Sequence, residues 1–152
     1  MRNRLLALLI IAPFTLALTS PIGLAAPQLG VGVRFPFAGF ASARLGDHLA
    51  LEASVPLNFT GLVTFEASLD AKLYLGTVTV ADLPLQPFIG GGATIISAVG
   101  QWVPGARLLA GLEYRSPQIP VNVFFQVTGS LTSSGSPPII SIEPSLGARY
   151  DF

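Results

Sequence analysis

Residues Ser141 to Phe152 alternate without a break. Ile142, Pro144, Leu146, Ala148, Tyr150 and Phe152 are apolar or aromatic, whereas Ser141, Glu143, Ser145, Gly147, Arg149 and Asp151 are polar, charged or glycine. A period of two held over this length marks a β-strand with two unlike faces, because successive strand side chains point to opposite sides. A chain ending this way must bury or solvate its two faces in two different media.

The same pattern recurs along the chain. In 62–75, Val63, Phe65, Ala67, Leu69, Ala71, Leu73 and Leu75 share one face, while Thr64, Glu66, Ser68, Asp70, Lys72 and Tyr74 share the other. Further alternating segments lie around 28–37, 39–46, 48–57, 84–97, 105–115 and 121–131, so the reading is eight strands. Turn-forming residues separate them: Gly46-Asp47, Asn58 to Gly61, Asp82 to Pro84, Val103-Pro104-Gly105, Ser116 to Pro120 and Ser133 to Pro138. After Gly76 the phase slips, since Val78 and Val80 leave the polar register. A bulge or a strand end would account for it.

Composition narrows the choice of medium. Hydrophobic residues make up 51% of the chain and charged residues 11%, against about 25% charged in an ordinary soluble domain. No uninterrupted apolar run reaches the roughly 18 residues of a membrane helix. Cysteine is absent, which excludes disulfides and thiolate metal sites. The zero net charge and lack of a basic patch argue against a nucleic-acid partner.

Met1 to Ala25 reads as a secretory signal peptide. Arg2 and Arg4 form the positive start, Leu5 to Leu18 is the apolar run broken by Pro13, and Gly23 and Ala25 suit cleavage before Ala26. The expected division is therefore 1–25 signal peptide and 26–152 barrel.

Of the 16 charged residues, removal of Arg2 and Arg4 leaves 14. All but Asp47 and Asp82, at turns, fall on the polar faces. Those faces are otherwise rich in Gly, Ser and Thr, which suits the narrow interior of an eight-stranded barrel. The apolar faces would then point outward into lipid, where an exposed apolar belt is a requirement. Tyr114, Tyr150 and Phe152 would gather at the end that holds the termini, with Phe37, Phe59 and Trp102 at the other rim, as interfacial aromatics do.

The last segment resembles the C-terminal assembly signal of bacterial outer-membrane barrels, polar-x-Gly-x-x-aromatic-x-aromatic, with Ser145, Gly147, Tyr150 and Phe152 in its places. The whole mature chain resembles the small eight-stranded outer-membrane barrels of the OmpA and OmpX type. The resemblance implies a closed, antiparallel, up-and-down, all-β transmembrane barrel in the outer membrane of a diderm bacterium. It also implies both termini in the periplasm, and membrane lipids and the barrel assembly machinery as partners. The short loops remove any expectation of loop-borne adhesion, and a monomer is expected.

The interior is expected to hold Arg34, Arg44, Lys72, Arg107, Arg115 and Arg149 against Glu52, Glu66, Asp70, Glu113, Glu143 and Asp151. Six charges of each sign in a narrow lumen should pair, since unpaired buried charge is costly. The expected product is a salt-bridged, closed lumen and a structural role in the envelope. One alternative is a narrow channel for small solutes or hydrophobic ligands. Another is a soluble secreted barrel with the faces inverted, binding an apolar ligand. No catalytic residues, cofactor or metal site are expected. His48, the single histidine, sits beside a turn, without a partner set for acid–base work. Gly90-Gly91-Gly92 lacks the Lys and Ser/Thr of a phosphate loop, and its glycines are expected to make room for Phe88, Phe124 or an arginine, or to bend the sheet. Asn58-Phe59-Thr60 fits a glycosylation sequon, incidental in a bacterial context.

Overall fold

A computed structural model describes residues 26–36, 38–57, 65–98, 101–133 and 138–152. The signal-peptide segment, the 58–60 sequon, Phe37 and Phe59 lie outside the described residues.

The strands are β1 (Gln28–Phe35), β2 (Ala38–Leu45), β3 (Leu49–Pro56), β4 (Phe65–Tyr74), β5 (Val78–Val80), β6 (Leu83–Ala98), β7 (Gln101–Arg115), β8 (Val121–Thr132) and β9 (Ile139–Asp151). β1, β2 and β3 each pair antiparallel with the following strand, as do β6, β7 and β8. Two further pairings close the ring: β1 with β9, and β4 with β6. The result is an eight-stranded up-and-down barrel in which β5 stands outside the ring. Closure satisfies the edge N–H and C=O groups that an open sheet would leave bare.

Alternation settles which side chains go where. Leu108 is 74% exposed and Ile142 73%, whereas Glu113 is 1% and Gln126 0% exposed. The apolar faces therefore point out and the charged faces in, which is the reverse of a soluble barrel with an apolar cavity. Trp102 on the outer surface meets Phe65 edge to face at 5.9 Å between centroids, at the end remote from the termini. At the terminal end Tyr150 and Phe152 pack edge to face at 5.3 Å.

The phase slip after Gly76 is a bulge. Tyr74 pairs with Phe88 and Val78 with Leu85, so Leu75, Gly76 and Thr77 stand against Gln86 and Pro87 alone. Gly76 takes φ +103°, a conformation that suits glycine. Beyond the bulge, β5 and the start of β6 form a short hairpin. Its turn is Ala81-Asp82, with φ +49° and +64°, rather than Asp82 to Pro84. Positive φ at both central residues is what a tight hairpin needs to match strand twist.

Val103-Pro104-Gly105, expected as a turn, lies instead inside β7. These residues pair with Ile96, Ile95 and Thr94 of β6. Pro104 is tolerated because its backbone faces the β8 side just past the end of that ladder, where its carbonyl accepts a hydrogen bond from the Ser133 N–H at 3.5 Å. The missing proline N–H thus costs no bond to β6.

Candidate functional site

The barrel interior is layered along its axis, and each layer follows from the inward register. Nearest the termini is an ionic layer around Glu113 of β7. Its Oε1 accepts from Arg149 Nη2 at 2.9 Å and from Arg115 Nε at 3.2 Å, and Arg44 Nη1 approaches at 3.4 Å. Its Oε2 accepts from the Tyr74 hydroxyl at 2.8 Å and from Arg149 Nη1 at 3.2 Å. Arg149 Nε donates to Asp151 at 2.6 Å, and Asn122 completes Asp151. Arg44 also donates to the Asp47 carbonyl and to Gln86 Oε1, and its guanidinium lies 4.0 Å from the Tyr74 ring centre. Three guanidinium groups here face two carboxylates, Glu113 and Asp151, and both Glu113 oxygens accept from more than one donor, as a buried carboxylate requires.

Above it lies an apolar layer of Phe40, Ala50, Phe88, Leu109 and Phe124. Phe40 and Phe124 meet edge to face at 5.5 Å. Inward glycines on nearby strands make room for the rings. A side-chain carbon on Gly32 would strike Phe40, one on Gly111 would strike Phe88, and one on Gly147 would strike Phe124. Gly90 and Gly92 do not serve those rings or an arginine: they lie against Leu109 and Asp70, and against the neighbouring β4 backbone.

The middle ionic layer follows. Glu52 accepts from Lys72 Nζ at 2.6 Å and from Arg34 Nη1 at 3.1 Å. Lys72 also donates to Gln126 Oε1 at 3.1 Å, and lies 5.0 Å from the ring centres of both Phe88 and Phe124. Arg34 Nη2 donates to Ser54 at 2.6 Å, and the Ser54 and Ser68 hydroxyls share a hydrogen bond. Arg107 Nε lies 3.6 Å from Asp70 Oδ1.

Beyond this layer, away from the termini, the lumen widens into a cavity of about 280 Å³ that reaches Pro36 and Pro56 at the strand ends. Glu66 and Glu143 line it. Of the twelve lumen charges expected from sequence, Arg34, Arg44, Lys72, Arg107, Arg115, Arg149, Glu52, Asp70, Glu113 and Asp151 form ion pairs. Among the described residues Glu66 and Glu143 do not; Glu66 accepts from Thr94 Oγ1 at 3.4 Å.

Phe40 and Leu109 are interior residues that sequence reading missed, whereas Phe124, expected beside Gly90-Gly91-Gly92, lies inside against Gly147 instead. Each shares the inward register with polar neighbours two residues away, and each lies close to an inward glycine. That pairing of bulk with glycine was the available signal. Ser145 and Gly147 of the C-terminal pattern face inward, and Tyr150 and Phe152 lie on the outer surface. His48 sits in the β2–β3 turn with Nδ1 3.3 Å from the Tyr74 carbonyl oxygen.

No family model and no curated protein matches the chain. Among solved structures, it is similar to the N-terminal β-barrel domain of Pseudomonas aeruginosa OprF, with a TM-score of 0.52 and 18% identity, over 83% of this chain and 96% of that one. A structure described as de novo design of transmembrane β-barrels aligns at 17% identity and TM-score 0.43, over 83% of this chain and 92% of that one. At 18% identity the OprF likeness is one of architecture. Together with the ring closure and the outward apolar faces, it gives this chain the fold of an eight-stranded outer-membrane β-barrel.

Proposed function

We propose that this protein is a monomeric integral barrel of a diderm outer membrane, with both termini in the periplasm and a lumen closed to solutes, serving the envelope structurally. The observation that carries the closed lumen is the stack of filled layers. Lys72, Phe88, Phe124, Gln126, Glu52, Glu113 and Asp70 are each less than 2% exposed. Eight strands leave an interior just wide enough for side chains to fill, and here aromatic rings lie between two ion-pair layers. An ion crossing this stretch would have to displace both rings and paired charges. The protein is not an enzyme on this reading; no cofactor enters the account, and its partners are lipids and the machinery that folds barrels into the membrane.

Planar-bilayer recording from pure, detergent-folded protein tests the reading. The expected trace is silent. Ohmic current steps that scale with protein would overturn the closed lumen in favour of a narrow channel. Electrophoretic mobility with and without boiling tests membrane residence: a heat-modifiable band that requires detergent is expected. A chain that stays folded and monomeric without detergent would remove the membrane assignment.

A further inference from the structure

The cavity above the middle layer is built unlike the rest of the interior. Arg107 reaches its wall from β7 and is 7% exposed. Its one partner is Asp70, in an ion pair at 3.6 Å, and no acceptor among the described residues takes a hydrogen bond from its guanidinium. A guanidinium carries five N–H donors. The buried Nε makes no hydrogen bond, which is costly, and a carboxylate is the group that fits the guanidinium fork best. Arg34, beside it, has already committed its Nη groups to Glu52 and Ser54.

Glu66 and Glu143 supply the opposite chemistry. They come from β4 and β9, which are four strands apart in the ring of eight whichever way it is counted, so they face each other across the cavity. Neither forms an ion pair among the described residues. Among the described residues, no cluster of three His, Asp or Glu could hold a metal ion, so an organic ammonium suits the two carboxylates better. The Ser68, Thr128 and Ser145 side chains add neutral hydrogen-bonding groups to the wall.

We infer that this cavity is a binding pocket for a small zwitterionic solute, whose carboxylate takes the Arg107 guanidinium and whose ammonium lies between Glu66 and Glu143. A volume of about 280 Å³ is roughly nine waters' worth of space, enough for a free amino acid. The pocket is blind on the side of the filled layers. In the proposed orientation it lies on the cell-exterior side of those layers, so it captures a solute and does not pass it.

Isothermal titration calorimetry of the full chain folded in detergent tests this, with L-serine, acetate and ethanolamine as probes at millimolar concentration. L-Serine is expected to saturate one site. Acetate and ethanolamine each satisfy one end and should bind about tenfold more weakly or worse. Arg107→Gln should abolish serine binding. Because that change strands Asp70 and risks the fold, Glu143→Gln carries the test independently. Glu143 is exposed and in no ion pair among the described residues, and its loss should weaken serine about tenfold while leaving acetate unchanged or tighter. Absence of saturable heat with serine would overturn the inference, as would acetate binding as tightly as serine, or a Glu143→Gln protein that binds serine like the parent. Conductance of the same preparation reports separately on the closed lumen: current with serine binding intact would sink that reading and spare the pocket.

Discussion

At the scale of single residues, Glu113 is the carboxylate on which the terminal-side layer depends. It pairs with Arg44, Arg115 and Arg149 and takes the Tyr74 hydroxyl while 1% exposed. Removing one partner of a buried pair costs about 3–5 kcal/mol, because the charges left behind stay desolvated. Glu113→Gln keeps the shape and removes the charge. The expected loss is about 3 kcal/mol or more in urea unfolding from lipid vesicles, whereas Asp82→Asn, at an exposed turn, should stay within about 0.5 kcal/mol. Equal effects would mean that the lumen is wet enough to screen its charges. These inward charges were legible in the sequence, because strict alternation carries a side chain to one face whatever its chemistry. Phe40 and Leu109 were not, because reading polarity as inwardness sorts an apolar side chain to the wrong side. Their inward placement depends on Gly32 and Gly90, contributed by neighbouring strands, just as Phe124 depends on Gly147 and not on the glycines expected for it. Cross-strand register is set by turns and closure, and one strand's own pattern does not contain it.

At the scale of the strand, the outward face of β7 is a continuous apolar strip centred near Leu108, which is 74% exposed. An arginine on the lipid face costs about 2–4 kcal/mol at mid-depth and about 0–1 kcal/mol near the interface. Leu108→Arg should therefore destabilise the vesicle-folded barrel by about 2–4 kcal/mol, and Trp102→Arg, near the remote rim on the same strand, by clearly less. A flat profile along β7 would mean that the strip does not sit in hydrocarbon. The bulge gives a second prediction. Gly76 holds φ +103° with open space around it, so Gly76→Ala meets backbone strain without a clash. A loss of about 1 kcal/mol is expected. The slip of phase marked this place in the sequence. The hairpin beyond it was not legible, because Val78–Val80 is three residues long, too short for a periodicity to register. Pro104 misled for the opposite reason: proline marks a turn only where its missing N–H would break a ladder, and at the end of a pairing it breaks none.

At the scale of the whole molecule, the closed ring and the filled interior are separate properties. Closure is set by the β1–β9 and β4–β6 ladders, whereas occlusion is set by the side chains inside. The two can be uncoupled. Phe124 stands where the apolar layer meets Lys72, with its ring against Phe40 and its far edge over Gly147. Phe124→Ala removes bulk and leaves every strand pairing in place. The expected cost is about 3–5 kcal/mol from lost burial and the void left behind, so the variant should still fold in detergent and still shift on boiling. The void joins the cavity side of the lumen to the terminal ionic layer, and its walls include Lys72 and Gln126, polar groups that hold water where an all-apolar gap stays dry. Small, flickering current steps are therefore expected from Phe124→Ala in planar bilayers, against silence from the parent chain. If the variant folds and stays silent, the ion-pair layers alone seal the barrel and the rings serve packing. If both conduct, water already passes between the rings, and the lumen is a channel whose conductance those rings merely limit.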